Sequence, residues 1–159
     1  MKITRVAAQN RPRQFQVQAG DRAYVFPYAK LDLPPAGLDP ITEVFVDPEL
    51  GGEGFTYRLA SGLEGSVHMD AVLEYNEEPA YMAELTLYRL TQQARERFDA
   101  SGLSTREVAR AMGTSPTQLY RLLDPTNYTK SIRQLIALIY ALGCEVRLTV
   151  HDRGRRATA

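Results

Sequence analysis

Gln118 and Arg121 lie in the stretch Ser115-Pro116-Thr117-Gln118-Leu119-Tyr120-Arg121-Leu122-Leu123, and both side chains can form paired hydrogen bonds to the edge of a base. The amide of a glutamine matches the donor and acceptor of adenine, and a guanidinium matches the two acceptors of guanine. Each such pair discriminates against a wrong base by about 1–3 kcal/mol. If Leu119, Leu122 and Leu123 face a core, the helical step of about 100° per residue turns Thr117 and Arg121 outward, flanked by Gln118 and Tyr120. Thr117, Gln118 and Arg121 are the candidate base readers, and Arg121 suits a phosphate equally well. Thr114 and Ser115 precede the helix, where unpaired N–H groups and the helix dipole favour an anion. Arg106, Arg110, Tyr120, Tyr128, Lys130 and Arg133 stand in the flanking segments. With Thr114 and Ser115 they form a candidate phosphate-contacting set, which predicts salt-sensitive binding.

Positioning these side chains requires two short helices and a tight turn. Ser104-Thr105-Arg106-Glu107 has the spacing of a capping box, in which the serine accepts from the first turn and the glutamate reaches back. The helix it opens ends near Gly113, whose missing Cβ permits a left-handed turn. Ser115 then caps a second helix with Pro116 at its first position, where a missing N–H costs nothing. Val108, Ala109 and Met112 on the first helix face Leu119, Leu122 and Leu123 on the second, with the small Ala109 at the crossing. Leu87, Leu90, Ala94 and Phe98 recur at helical spacing and predict a preceding helix that stops near Ser101-Gly102. Asp124-Pro125-Thr126-Asn127 breaks the second short helix, and Ser131 can cap a last helix running through Leu142 to Gly143. Residues 144–150 alternate as a strand, which pairs either with a twin across a two-fold axis or with the sheet of its own chain.

Residues 103–123, LSTREVARAMGTSPTQLYRLL, resemble the helix-turn-helix of the Xre/Cro-type family of DNA-binding regulators. The similar four-helix region, 85–143, covers over a third of the chain. The stretch 120–128, YRLLDPTNY, and the terminal strand resemble a subset of small regulators, some of them antitoxins of toxin–antitoxin operons. The first half, with Phe26-Pro27-Tyr28, is similar to an uncharacterised domain found with such bacterial regulators. Many family members begin the recognition helix with glutamine where this chain has Pro116, so no base contact carries over from that position. The resemblance implies an operator-binding protein. One recognition helix spans few base pairs, so a homodimer is expected, its two helices about one turn of DNA apart.

The first half carries strand signals. Phe15, Val17 and Ala19 alternate with Gln14, Gln16 and Gln18, Gly20-Asp21 supplies a turn, and 22–26 resumes an extended run, which predicts a hairpin. Proline is dense between Pro27 and Pro48, leaving room for one strand at 41–46. Phe55, Tyr57 and Leu59 mark another strand, and the chain restarts after Gly65. Residues 68–75 read either as a last strand or as a short helix capped by Asp70. The expected fold class is α+β: a small antiparallel β-rich domain, 1–79, followed by a helical domain of four helices with a terminal strand and a basic tail, 80–159.

Charge divides along the same boundary. Of the 159 residues, 19 are Lys or Arg and 19 Asp or Glu, but residues 1–79 hold 7 basic against 12 acidic side chains and residues 80–159 hold 12 against 7. DNA should repel the first half, which is expected to face away from the duplex and to serve dimerisation, sensing or partner binding. An antitoxin reading gives the acidic half a basic toxin to mask.

Other chemistries find little footing. The only cysteine, Cys144, forms no internal disulfide, and with His68 and His151 as the only histidines there is no zinc cluster. His68 near Asp70 and Glu74 lacks the convergent nucleophile, base and orienter of a hydrolase. Gly51-Gly52-Glu53-Gly54 lacks the Lys-Ser/Thr of a phosphate loop and reads as a turn. No motif implies an enzyme, a cofactor or a metal. The N-terminus lacks the apolar core of a signal peptide and no stretch reaches membrane-spanning length, so a soluble cytoplasmic protein with no membrane partner is expected.

Overall fold

Alternation of apolar and glutamine side chains builds the first hairpin. In the computed structural model, which describes residues 1–152, Phe15, Val17 and Ala19 are buried on one face of β2 (Gln14–Ala19), and their glutamine neighbours lie on the other. Gly20 (φ 57°) and Asp21 form a two-residue loop that reverses the chain into β3 (Arg22–Pro27). A strand not read from the sequence, β1 (Arg5–Gln9), pairs antiparallel with β2, giving the order β1-β2-β3. A 3-10 turn, Tyr28–Lys30, then enters the proline-rich segment.

The second sheet is β4 (Ile41–Val46), β5 (Gly54–Leu59) and β6 (Glu64–His68), antiparallel in that order. The two sheets share one core. Phe15 meets Phe55 edge-on with ring centroids 4.8 Å apart and lies 4.9 Å from Tyr28 and 5.5 Å from Tyr57. The Tyr57 hydroxyl donates to the Leu33 carbonyl at 2.9 Å, and its ring occupies the space over Gly65, where a Cβ would lie 2.3 Å from the hydroxyl oxygen.

Residues 69–75 settle as a helix, α1 (Met69–Tyr75), and its cap is His68 rather than Asp70. The imidazole Nδ1 of His68 accepts from the Asp70 N–H at 3.4 Å, because β6 runs to His68 and buried Met69 already opens the helix. Asp70 falls in the first turn, where its charge favours the helix dipole. Just past α1, the Asn76 amide donates to Val25 O (2.8 Å) and Val72 O (2.7 Å) and accepts from Val25 N–H (3.3 Å), so a side chain completes the outer edge of β3.

The chain divides into two compact units, Met1–Ala83 and Glu84–Ala159. The division falls past Pro79, inside α2 (Pro79–Ser101), because the start of that helix is tied to the first unit. Glu78 accepts from the N–H groups of Ala80 and Tyr81 and pairs with Arg22, and Tyr81 packs on the first core.

In the second unit, the rest of α2 is followed by α3 (Thr105–Ala111), α4 (Pro116–Leu123) and α5 (Ile132–Ala141). Ala94, Val108, Ala109, Leu119, Leu122, Leu123, Leu135, Leu138 and Ile139 form its buried core, with Leu87, Leu90, Phe98 and Met112 packed against it. Residues 144–150, expected to form a terminal strand, form none in the described structure. The tail Arg153-Gly154-Arg155-Arg156, expected to be unstructured, lies outside the described residues. No described helix is long and apolar enough to cross a membrane.

Candidate nucleic-acid interface

Helix α3 begins with a complete capping box. The Ser104 hydroxyl accepts from the Glu107 N–H (3.3 Å), and the Glu107 carboxylate accepts from the Ser104 hydroxyl (2.7 Å) and N–H (2.8 Å). Those two bonds from Ser104, the hydroxyl's first, hold the Glu107 carboxyl below its usual range. At the other end Gly113 takes φ 64°, and Thr114 N–H donates back to Ala109 O at 2.9 Å. This is a Schellman ending, and it redirects the chain at once into α4.

Helix α4 has eight residues, too few to be stable by propensity alone, so its ends and buried face must hold it. The Ser115 hydroxyl accepts from Gln118 N–H at 3.2 Å, and Pro116 occupies the first turn. Leu119, Leu122 and Leu123 are buried against α3 and α5. The C-terminal carbonyls are covered by the loop that follows. Asn127 donates from Nδ2 to Arg121 O (3.2 Å), and Lys130 donates from Nζ to Leu122 O (3.0 Å), to Asp124 O and to the Thr91 hydroxyl (3.1 Å).

Lys130, expected to contact a phosphate, is thus engaged within the fold. Its three N–H donors are all taken inside the fold, where a positive charge also favours a helix C-terminus. Burial pushes its pKa below the usual lysine range, and the Asp124 carboxylate opposes that shift. Asp124 is itself held below its usual range by the Thr126 hydroxyl and N–H, with Lys130 and Arg95 adding to the effect. Thr91, fully buried on α2, is the partner that sequence reasoning missed. Its signal was a polar residue within the apolar stripe of Leu87, Ala94 and Phe98; its hydroxyl also donates to Leu87 O at 2.7 Å.

With the leucine stripe inward, Thr117, Gln118, Tyr120 and Arg121 are all exposed on α4. No hydrogen bond or ion pair among the described residues engages the side chains of Thr117, Gln118 or Arg121. The Tyr120 hydroxyl lies 3.4 Å from the Thr105 hydroxyl, linking α4 to the start of α3, while its ring stays 63% exposed. Ser115 is exposed and Thr114 half-buried at the N-terminus of α4. Arg106 and Arg110 are exposed one helical turn apart on α3, Arg133 is exposed in the first turn of α5, and Tyr128 is exposed in the intervening loop. Residues 104–143 hold five basic side chains against two acidic ones, and both acids are already engaged, Glu107 in its cap and Asp124 in its turn.

No cluster of His, Cys, Asp and Glu among the described residues has the arrangement of a metal site. Comparison with family models, with curated proteins and with solved structures gives no match to this chain.

Proposed function

We propose that the second unit binds double-stranded operator DNA with α4 in the major groove, and that the chain is a sequence-specific transcriptional regulator acting as a homodimer. The observation that carries the reading is α4 itself: a short helix fixed at both ends, presenting Thr117, Gln118 and Arg121 exposed and without partners among the described residues. Gln118 suits adenine and Arg121 suits guanine, while Thr117 lies on the same outward row. Phosphate contacts come from Thr114, Ser115, Arg106, Arg110, Tyr120, Tyr128 and Arg133, with Lys130 left out. A rigid reading helix is what discrimination between bases requires, because a loosely held donor loses its geometry.

The test is binding to a promoter fragment and to a scrambled duplex across a salt series. The wild type should prefer the promoter, and Gln118→Ala with Arg121→Ala should bring the two duplexes within a few-fold of each other. A variant with undiminished preference for the promoter would remove α4 from the recognition surface. No binding above background at low salt would remove DNA altogether.

The acidic excess of residues 1–79 favours a second reading, an antitoxin whose first unit binds a basic toxin while the second represses their shared operon. Stable co-purification with a small basic protein encoded beside it supports that reading, and purification alone from the intact operon opposes it.

A further inference from the structure

Residues 144–150 have the pattern of a strand, and no strand among the described residues pairs with them. Gly143 ends α5 at φ 74°, and Cys144 N–H donates back to Ile139 O at 3.0 Å. Beyond that bond, no backbone group of residues 145–150 makes a hydrogen bond among the described residues. The side chains nevertheless alternate. Cys144 and Val146 pack against the second core, and Glu145 and Arg147 are exposed. The Arg147 guanidinium donates to both carboxylate oxygens of Glu145 at 3.2 Å, which places residues two apart on one side, as an extended chain does. Leu148 continues the inner parity but is 70% exposed, and it lines a groove of about 410 Å³ with Leu90, Gln93, Ile139 and Val146.

We propose that residues 144–148 pair antiparallel with the same residues of a second copy, on a two-fold axis through Val146, and that this ribbon is the dimer interface. It deepens the homodimer in the reading above by naming the surface. Charge selects both partner and register. With the axis at Val146, Glu145 faces Arg147 of the second copy and Arg147 faces its Glu145, while Cys144 faces Leu148 and Val146 faces Val146. Opposite charges set directly across an antiparallel pair stabilise it, and like charges oppose it. Moving the axis to Glu145 or to Arg147 sets a charge against itself, moving it to Leu148 leaves Arg147 opposite Thr149, and an in-register parallel pairing sets Glu145 beside Glu145. The sequence is thus self-complementary in one arrangement, as an isologous interface requires. In that arrangement the apolar parity of both strands falls on one face, where Leu148 of each copy gains cover.

Sedimentation equilibrium of the full chain without DNA tests this. The wild type should dimerise reversibly. Glu145→Lys alone and Arg147→Glu alone each set two like-charged pairs across the ribbon and should weaken self-association about tenfold or more. Mixing the two single variants should restore wild-type affinity as a heterodimer, because every cross-strand pair is then opposite in sign. Both positions are exposed, so the variants should fold normally. As a check on register, Val146→Cys in a Cys144→Ser background should oxidise to a covalent dimer, since residues facing across the axis lie within disulfide reach.

A monomeric wild type would overturn the proposal, as would single variants that dimerise like the wild type or a mixture no tighter than its components. Amides of 145–150 protected from exchange in a monomer would assign the segment to the sheet of its own chain. Because no DNA is present, a chain that dimerises in this way yet ignores its promoter fails only the DNA reading. One that binds its promoter without this ribbon fails only the interface.

Discussion

The two units use charge in opposite ways. In the first, charged side chains finish the fold. Arg58 donates to Glu64 at 2.7 Å and to Glu43 at 2.6 Å, bridging three strands, Arg22 pairs with Glu78, and the Met1 ammonium lies 2.9 Å from Glu53. Asp39 accepts from both the N–H and the hydroxyl of Ser61. In the second unit, the acids between 104 and 143 are absorbed in a cap and a turn. Of the cations there, only Lys130 is consumed. Arg106, Arg110, Arg121 and Arg133 make no ion pair or side-chain hydrogen bond among the described residues. Charges spent inside a unit leave little for a ligand; charges left exposed on three consecutive helices are available to one. The contrast is a matter of pairing more than of totals, since exposed ion pairs each contribute little to stability.

Breaking a unit should therefore depend on different residues from breaking its binding. The largest expected effect is Gly65→Ala, which drives a Cβ into the Tyr57 ring and should destabilise the first unit by about 3 kcal/mol. Denaturation followed by tyrosine fluorescence would measure it, and the same value at a surface glycine would refute the packing argument. Lys130→Met should cost about 2 kcal/mol in the second unit, because carbonyls at the end of α4 lose a charged donor. It should leave the salt dependence of DNA binding unchanged once the folded fraction is held constant. Arg133→Ala should do the reverse, leaving stability within about 0.5 kcal/mol and lowering the salt slope by about 1 for each protomer. Ser104→Ala should cost about 1 kcal/mol through loss of the α3 cap.

The smallest effect expected is one of pH. Folding lowers the pKa of Glu107, so its contribution is present above the unfolded carboxylate pKa and is lost as pH falls through the folded value. Glu107→Gln keeps a hydrogen-bonding side chain at the cap but does not titrate. Its unfolding midpoint should therefore fall less than the wild type's below about pH 4.5. Parallel acid profiles for the two proteins would show that the carboxylate's charge contributes nothing.

The sequence spoke most clearly where period and punctuation agreed. The β2–β3 hairpin was legible because strict alternation met Gly20-Asp21, and α3 and α4 because Ser104, Gly113, Ser115 and Pro116 mark their ends. Strand β1 was not, since Arg-Val-Ala-Ala-Gln neither alternates nor buries a large side chain and takes its place from pairing with β2. Residues 144–150 show the converse: their alternation is plain, but a strand exists only with a partner, and none of the described strands pairs with them. The candidate site was legible as an exposed row on α4. What escaped was the division of labour among its cations. Residue type does not distinguish Lys130 from Arg133; only the fold shows that the loop after α4 returns a lysine to the helix's open carbonyls and to Thr91.

We expect the exposed side chains of α4 to read DNA and the acidic first unit to stay clear of it. Titrating the isotopically labelled full chain with its promoter duplex and following backbone amides by NMR tests both halves at once. Perturbations should concentrate at 104–133, strongest around Thr117, Gln118 and Arg121, with β1 to β6 unaffected. Perturbations centred on the sheets, with α4 silent, would contradict it.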